Sequence, residues 1–445
     1  GGGIGMSALM RYFLAQGKFV AGYDKTPTHL TNKLIEEGAV LFFKDEVELI
    51  PSAFLSIKDA LIIYTPAIPL DSSLLLFFKT RGYLLYKRSE ILGLITQSNQ
   101  NIAIAGTHGK TTISSMVAHC LKYCAYPMTA FLGGVSKNLA SNYYHDKNSQ
   151  VTVIEADEYD RSFLKLSPNI ISVSATDADH LDVYGTEEEM HHTFRKFLTE
   201  NLQDQGTAII EKKLEKILGN HWETYSLTDD QADYFVTNLK VDGAVFSGDF
   251  NWRSGVLRHV VIGLPGLHNM ENALLAFALV LKMGIAPDKI KEALGTYSGV
   301  ERRFDMHINH NKCVYIDDYA HHPQEITSLL LSVKKMYPNK KLTGVFQPHL
   351  FTRTKDFLMD FARSLELLDT VILLDIYPAR EKPIQGIDSE LLLSKIKKNS
   401  KMLCSKKEMH AYISNRHCDV VLTIGAGDIG MEVDLVKRNL LRRIN

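Results

Sequence analysis

The sequence predicts an α/β protein in three parts, and three observations carry that expectation. A chain of 445 residues is too long for one hydrophobic core. Short apolar runs alternate with segments of helical periodicity, the pattern of strands joined by crossover helices in a mostly parallel sheet. Glycine-bearing turns open the chain, follow an apolar run at Gly106 to Gly109, and recur at Gly425 to Gly430.

The first part opens on glycines. Such a turn is entered from a strand, so a first strand is expected to be missing. Residues 7–16 read as a helix, with Leu9, Tyr12 and Phe13 at helical spacing. Residues 19–23 read as a strand ending at Asp24, and 60–64 as another before Thr65-Pro66-Ala67. The second part starts with a strand at 101–105, followed by a helix at 111–123 and strands at 151–154 and 170–174. Residues 243–263 are β-like and polar, the pattern of a meander, and 269–283 form a closing helix. Strands at 313–316, 342–346, 370–374 and 419–424 make the third part. The expected boundaries are 1–98, 99–301 and 302–445.

Composition excludes several classes. Hydrophobic residues at 45% and charged residues at 23% are ordinary for a soluble globular protein. With 50 basic and 51 acidic residues the net charge is -1, so nucleic acid is not an expected partner. No apolar stretch approaches the roughly 18 residues needed to span a bilayer, and no basic-then-apolar leader is expected. The five cysteines, Cys120, Cys124, Cys313, Cys404 and Cys418, lack zinc-like spacing and read as buried thiols in a reducing cytoplasm.

The strongest chemical signal is Gly106-Thr107-His108-Gly109-Lys110-Thr111-Thr112. A strand, a glycine turn and a Lys-Thr pair opening a helix aim backbone N–H groups at phosphate oxygens. In such a loop Lys110 reaches the β/γ-phosphates of ATP and the Thr111 hydroxyl holds Mg²⁺. Ile104 stands where the standard pattern has its first glycine, so this is a shortened variant. The strand at 151–154 delivers Glu155, the expected metal ligand, ahead of Ala156-Asp157-Glu158. Asp177-Ala178-Asp179-His180-Leu181-Asp182 suggests a second cation site with His180 as ligand, which would make Mn²⁺ acceptable beside Mg²⁺. Capping of a helix by Asp177 or Asp179 is the plainer alternative, and both fit together.

Gly2-Gly3-Ile4-Gly5 with Asp24 about twenty residues on matches a dinucleotide fingerprint, with a pyrophosphate on a helix N-terminus and an acid at a ribose. Gly425-Ala426-Gly427-Asp428-Ile429-Gly430 matches the same pattern but leaves no room for a following strand before Asn445, so no second such site is expected. Asp317-Asp318-Tyr319-Ala320-His321-His322-Pro323 places a polar cluster at a strand-to-helix turn, with Pro323 in the first helical turn. Arg353 after Gln347-Pro348-His349, and Arg380 in Pro378-Ala379-Arg380-Glu381, read as a positive cluster for an anionic substrate; solvated surface arginines are the bland alternative.

Taken together the motifs resemble the Mur ligases. The matching pieces are Gly2 to Ser7, Gly106 to Thr112, Glu155 to Glu158, Ala178 to Asp182, Gly266-Leu267-His268-Asn269-Met270-Glu271-Asn272-Ala273, Arg302-Arg303-Phe304 and Asp317 to Pro323. They run in family order over nearly the whole chain. The resemblance implies a Rossmann-like UDP-binding domain, a central ATPase and a C-terminal Rossmann-like domain that closes over the site. It places the substrate's UDP at Gly2, Gly3, Ile4, Gly5, Met6, Ser7 and Asp24, and adenine and ribose near His268, Asn269 and Asn272. Arg302 or Arg303 and Asp317 or Asp318 would complete the nucleotide site on closure.

The Gly5-Met6-Ser7 start, His108 and His321-His322-Pro323 favour the alanine-adding branch, which joins L-alanine to UDP-N-acetylmuramate. Tyr319, His321 and Arg380 would then lie near the alanine, with His321 a candidate base by residue type. A related ligase adding another amino acid or a peptide is the alternative. The resemblance also implies a cytoplasmic enzyme, acting as monomer or homodimer on small molecules. Leu267, Tyr159, Arg161 and Thr176 depart from the family pattern, and no lysine matches the carboxylated one of sister ligases.

Overall fold

The computed structural model describes residues 1–97, 99–177, 181–379 and 381–444. They form two compact units. One comprises Gly1–Thr237, Asp249–Arg258 and Asn272–Tyr297; the other comprises Asn238–Gly248, His259–Glu271 and Ser298–Asn445.

The first unit begins with the helix Ile4–Ala15, capped by Gly3 in extended conformation. This helix starts three residues earlier than the periodicity suggested, so Gly5, Met6 and Ser7 lie inside it. Glycine's poor helix propensity hid that first turn. Buried Ala8 and Leu9 join a core cluster with Leu92, Phe131 and Tyr143, and buried Arg11 pairs with Glu37 at 2.7 Å. Two short parallel pairs follow: Ala21–Tyr23 with Val40–Phe42 and Ile62–Tyr64 with Leu85–Lys87. The helix Arg88–Thr96 leads on to the main sheet.

That sheet is centred on Gln100–Ala105, which lies parallel between Ile170–Val173 and Val151–Glu155. Ile102, Ala103, Ile104, Val153, Ile154 and Ile171 are wholly buried, as strands covered on both faces require. Beyond Val151–Glu155 come Met128–Ser136, parallel, and the antiparallel edge Ser141–His145. On the other side the order continues through Thr207–Glu211 and Glu223–Ser226. The meander occupies Tyr234–Asp242, Val245–Trp252 and Gly255–Ile262, beginning well before residue 243. The helix Lys110–Tyr123 is buried continuously from Thr111 to Leu121.

In the second unit the strand order is Asp305–His310, Cys313–Asp318, Val420–Ile424, Leu342–Phe346, Thr370–Leu373 and Lys401–Leu403. The first pair is antiparallel and the rest are parallel. The four strands expected from the sequence are present to within two residues. Tyr315, Val345, Ile372, Val421 and Val436 form the core. All five cysteines are free thiols; four are buried and Cys124 is half-buried. Among the described residues no helix is long and apolar enough to cross a membrane.

Candidate functional site

Parallel register brings three strand ends to one edge of the first sheet: Ile104 is level with Glu155 on one side and Ser172 on the other. The glycine loop leaves its strand at Gly106 (φ +126°) and enters its helix at Gly109 (φ +83°). A Cβ at Gly106 would stand 2.8 Å from the Ser174 backbone N, and one at Gly109 would stand 2.8 Å from Asn272 Oδ1. The neighbouring strand end pins the loop. Thr107 N–H donates to the Ala175 carbonyl at 2.9 Å, the Ser174 hydroxyl donates to the His108 carbonyl, and Asp177 N–H donates to the Thr107 hydroxyl at 3.1 Å. His108 Nε2 lies 3.5 Å from the Asp177 carboxylate. The Thr112 carbonyl accepts from the Tyr297 hydroxyl at 3.4 Å.

Lys110 opens the helix and points back across the loop. Its ammonium donates to the Gly106 carbonyl at 2.6 Å and reaches the two oxygens of Glu158 at 2.8 and 2.7 Å. Burial by itself would depress this lysine, but the carboxylates of Glu158, Asp157 and Glu155 outweigh it and hold the pKa above its ordinary value. The ammonium is therefore charged. The Thr111 hydroxyl donates to Glu155 Oε1 at 3.0 Å, and Gly133 N–H donates to Oε2 at 2.8 Å. Thr111 and Glu155 thus present two hard oxygen donors, which fit a magnesium ion that keeps several waters and takes further ligands from phosphates. Among the described residues no three His, Cys, Asp or Glu side chains gather as a metal cage. His180 lies outside the described residues.

At the N-terminal turn, Gly2 N–H donates to Asp24 Oδ2 at 2.7 Å, so the fingerprint's glycine and acid do meet. Met6 packs on the cluster of Met10, Val20, Leu34 and Ala39. Ser7 is buried, with its hydroxyl donating to the Ile4 carbonyl at 2.8 Å and accepting from Asn142 at 2.9 Å. These two side chains support the turn from inside. A Cβ at Gly5 would come within 3.1 Å of the Arg88 guanidinium, which also lies 4.0 Å from Asp157.

In the second unit the expected strand-end cluster is assembled. Buried Asp317 pairs with Arg302 at 3.1 Å and accepts from the Thr423 hydroxyl at 2.6 Å. Asp318 accepts from Phe304 N–H at 2.6 Å and Ala320 N–H at 2.7 Å. Burial pushes its pKa up to about 6 against the opposing pull of Arg303. The Arg303 guanidinium lies 4.9 Å above the Tyr319 ring. Tyr319, His321 and His349 form a run of edge-to-face rings, with centroids 5.5 and 6.1 Å apart. His322 caps the helix Pro323–Met336. Arg353 is buried within the helix Phe351–Asp356, whereas Arg380 lies outside the described residues.

His268 and Asn269 also belong to this unit. His268 Nδ1 is 3.1 Å from Ser332 Oγ, and burial lowers its pKa to about 4, leaving it neutral. Asn269 donates to the Pro265 carbonyl at 2.6 Å. Asn272 belongs to the first unit, beside Gly109. The glycines at 425–430 have a packing role: a Cβ at Gly425 would stand 2.7 Å from the Gln347 carbonyl, and one at Gly430 would fall on the Arg302 guanidinium.

A glycine loop with a charged lysine at the C-terminal edge of a parallel sheet, and an acid on the adjoining strand, defines a phosphate-loop α/β enzyme. Three family models match in succession: the Mur ligase family catalytic domain over residues 1–100, the Mur ligase middle domain over 104–280, and the Mur ligase glutamate ligase domain over 302–427. The chain belongs to the Mur ligase family, whose members are ATP-dependent. It is 45% identical to a UDP-N-acetylmuramate–L-alanine ligase of Phocaeicola vulgatus, over 96% of this chain and 94% of that one. It is equally 45% identical to one of Parabacteroides distasonis, over 100% and 96%. A solved UDP-N-acetylmuramate-alanine ligase of Thermotoga maritima superposes with a TM-score of 0.82 at 28% identity, covering 100% of this chain and 97% of that one.

Proposed function

We propose that this chain joins L-alanine to the lactoyl carboxylate of UDP-N-acetylmuramate, converting ATP to ADP and phosphate, in cytoplasmic peptidoglycan precursor synthesis. The 45% identity to alanine-adding ligases over 96% of the chain carries this reading. The loop geometry supplies its chemistry.

A carboxylate is a poor electrophile and has to be activated. The lactoyl carboxylate attacks the γ-phosphorus of ATP, giving an acyl phosphate and ADP. The alanine amine then attacks the acyl carbon, and phosphate leaves from the tetrahedral intermediate. Lys110 and the loop N–H groups offset charge on the transferring phosphoryl group, the main work in such reactions. Thr111 and Glu155 would hold one Mg²⁺, and His180 would hold a second that Mn²⁺ could replace. Bound magnesium supplies charge neutralisation on the phosphates. In this reading the three parts 1–98, 99–301 and 302–445 bind the UDP substrate, ATP and the amino acid. The glycine turn with Asp24 takes the UDP moiety, Asn272 and His268 adjoin the adenosine, and Tyr319, His321 and Arg380 adjoin the alanine. His321 accepts the proton from the amine, its ring oriented by the Tyr319 carbonyl at 3.1 Å and by Glu325 at 3.3 Å.

Phosphate release measured with ATP, UDP-N-acetylmuramate and each of alanine, glycine and serine tests the assignment. Release that depends on the muramate and is fastest with alanine is the expected result. Release with none of the three would overturn it.

A further inference from the structure

Glu158 has no part in the reaction outlined above, yet it holds the residue on which that reaction depends. Its carboxylate is 1% exposed, with both oxygens within 2.8 Å of the Lys110 ammonium. The Tyr184 hydroxyl donates to the Glu158 carbonyl at 2.6 Å, fixing the backbone that carries the carboxylate. A pair of this kind on the surface would matter little. Here the carboxylate is out of water and the Lys110 side chain is only 13% exposed, so each depends heavily on the other. The lysine that a phosphate must recruit is already engaged.

We propose that Glu158 is a positioning residue that holds Lys110 across the phosphate loop and competes with the β- and γ-phosphates of the nucleotide for its ammonium. The proposal rests on the reading of this loop as an ATP site. Nucleotide binding has to draw Lys110 away from Glu158 or share it. After transfer, ADP carries less charge, Lys110 returns to the carboxylate, and product release is favoured. The competition acts only on phosphates that reach Lys110, so a nucleoside monophosphate lies outside it.

Calorimetric titration of the full chain with ADP and AMP, alongside steady-state kinetics, tests the idea on Glu158→Gln and Glu158→Asp. Glu158→Gln is expected to bind ADP on the order of tenfold tighter, the worth of one charge-assisted hydrogen bond. AMP affinity stays unchanged, and kcat and KM for ATP fall together. Glu158→Asp, which keeps the charge but withdraws it, moves the same way by less. A merely structural role would instead loosen all nucleotides and raise KM. Unchanged or weaker ADP binding, or an equal change for AMP, would overturn the proposal. If Glu158→Gln does not fold, the same comparison on Glu158→Asp decides. Wild-type chain that binds ADP but shows no alanine-dependent phosphate release would count against the proposed reaction and leave this inference standing.

Discussion

The Thr111 hydroxyl donates to the Glu155 carboxylate across 3.0 Å, joining the first turn of the loop helix to the end of the neighbouring strand. The Thr111 hydroxyl is neutral, so a metal held between these two hard oxygen donors leans on the Glu155 charge. Glu155→Gln keeps the shape and removes that charge. The Mg²⁺ concentration giving half-maximal phosphate release should rise at least about tenfold, with a lower plateau. An unchanged magnesium requirement would take Glu155 out of the metal site.

Lys110→Ala removes the cation facing the transferred phosphoryl group, and phosphate release should fall roughly 10²–10³-fold or more. It also strands Glu158, and breaking a buried pair from one side costs about 3–5 kcal/mol. The double variant Lys110→Ala with Glu158→Gln should therefore melt above the single one while staying equally inactive. Near-normal turnover in Lys110→Ala would remove the loop from the reaction.

The loop, Glu155 and the Asp317-Asp318 cluster were legible because each is a local pattern: an apolar run that ends in glycine or an acid. Glu158 sat in plain view beside Glu155, but its role depends on where Lys110 turns, and no spacing rule encodes that. Gly133, Arg88 and Ser174 carry no local signal in the sequence, because their partners lie on other elements. Met128–Ser136 and Thr207–Glu211 are strands that the sequence pattern does not announce; Gly, Ser, Thr and Glu break up their apolar runs. The glycine pattern at 425–430 matched a dinucleotide fingerprint, yet packing against Gln347 and Arg302 accounts for it.

His268 and Asp318 should tilt stability in opposite directions with pH. Burial lowers His268 from 6.5 to about 4. Its contribution is full above 6.5 and is lost as pH falls towards 4, because the unfolded chain takes a proton that the folded one refuses. Burial raises Asp318 from 3.8 to about 6. Its contribution is full below 3.8 and is lost as pH rises through 6. Between pH 4 and 6 the two slopes oppose, each about 1.4 kcal/mol per pH unit. Relative to wild type, His268→Gln should lose stability as pH rises across that window, and Asp318→Asn should gain it. Urea denaturation at several pH values reads both; parallel curves for all three proteins would refute the assignment.

Gly133 offers a test of the metal site that removes no charged group. It lies in Met128–Ser136, and its N–H donates to Glu155 Oε2 at 2.8 Å. A Cβ there would fall on the carboxylate itself. In Gly133→Ala the Glu155 side chain has to swing aside, giving up this N–H and its alignment with Thr111. Loss of a partner that orients a metal ligand typically costs about 10–100-fold in metal affinity or activity. The expected variant is folded, binds ADP normally without magnesium, and needs more Mg²⁺ for phosphate release. Glu155→Gln in the same background should then add less than it does alone, because both changes act through one carboxylate. Fully additive losses would mean that Gly133 matters to the strand and not to Glu155.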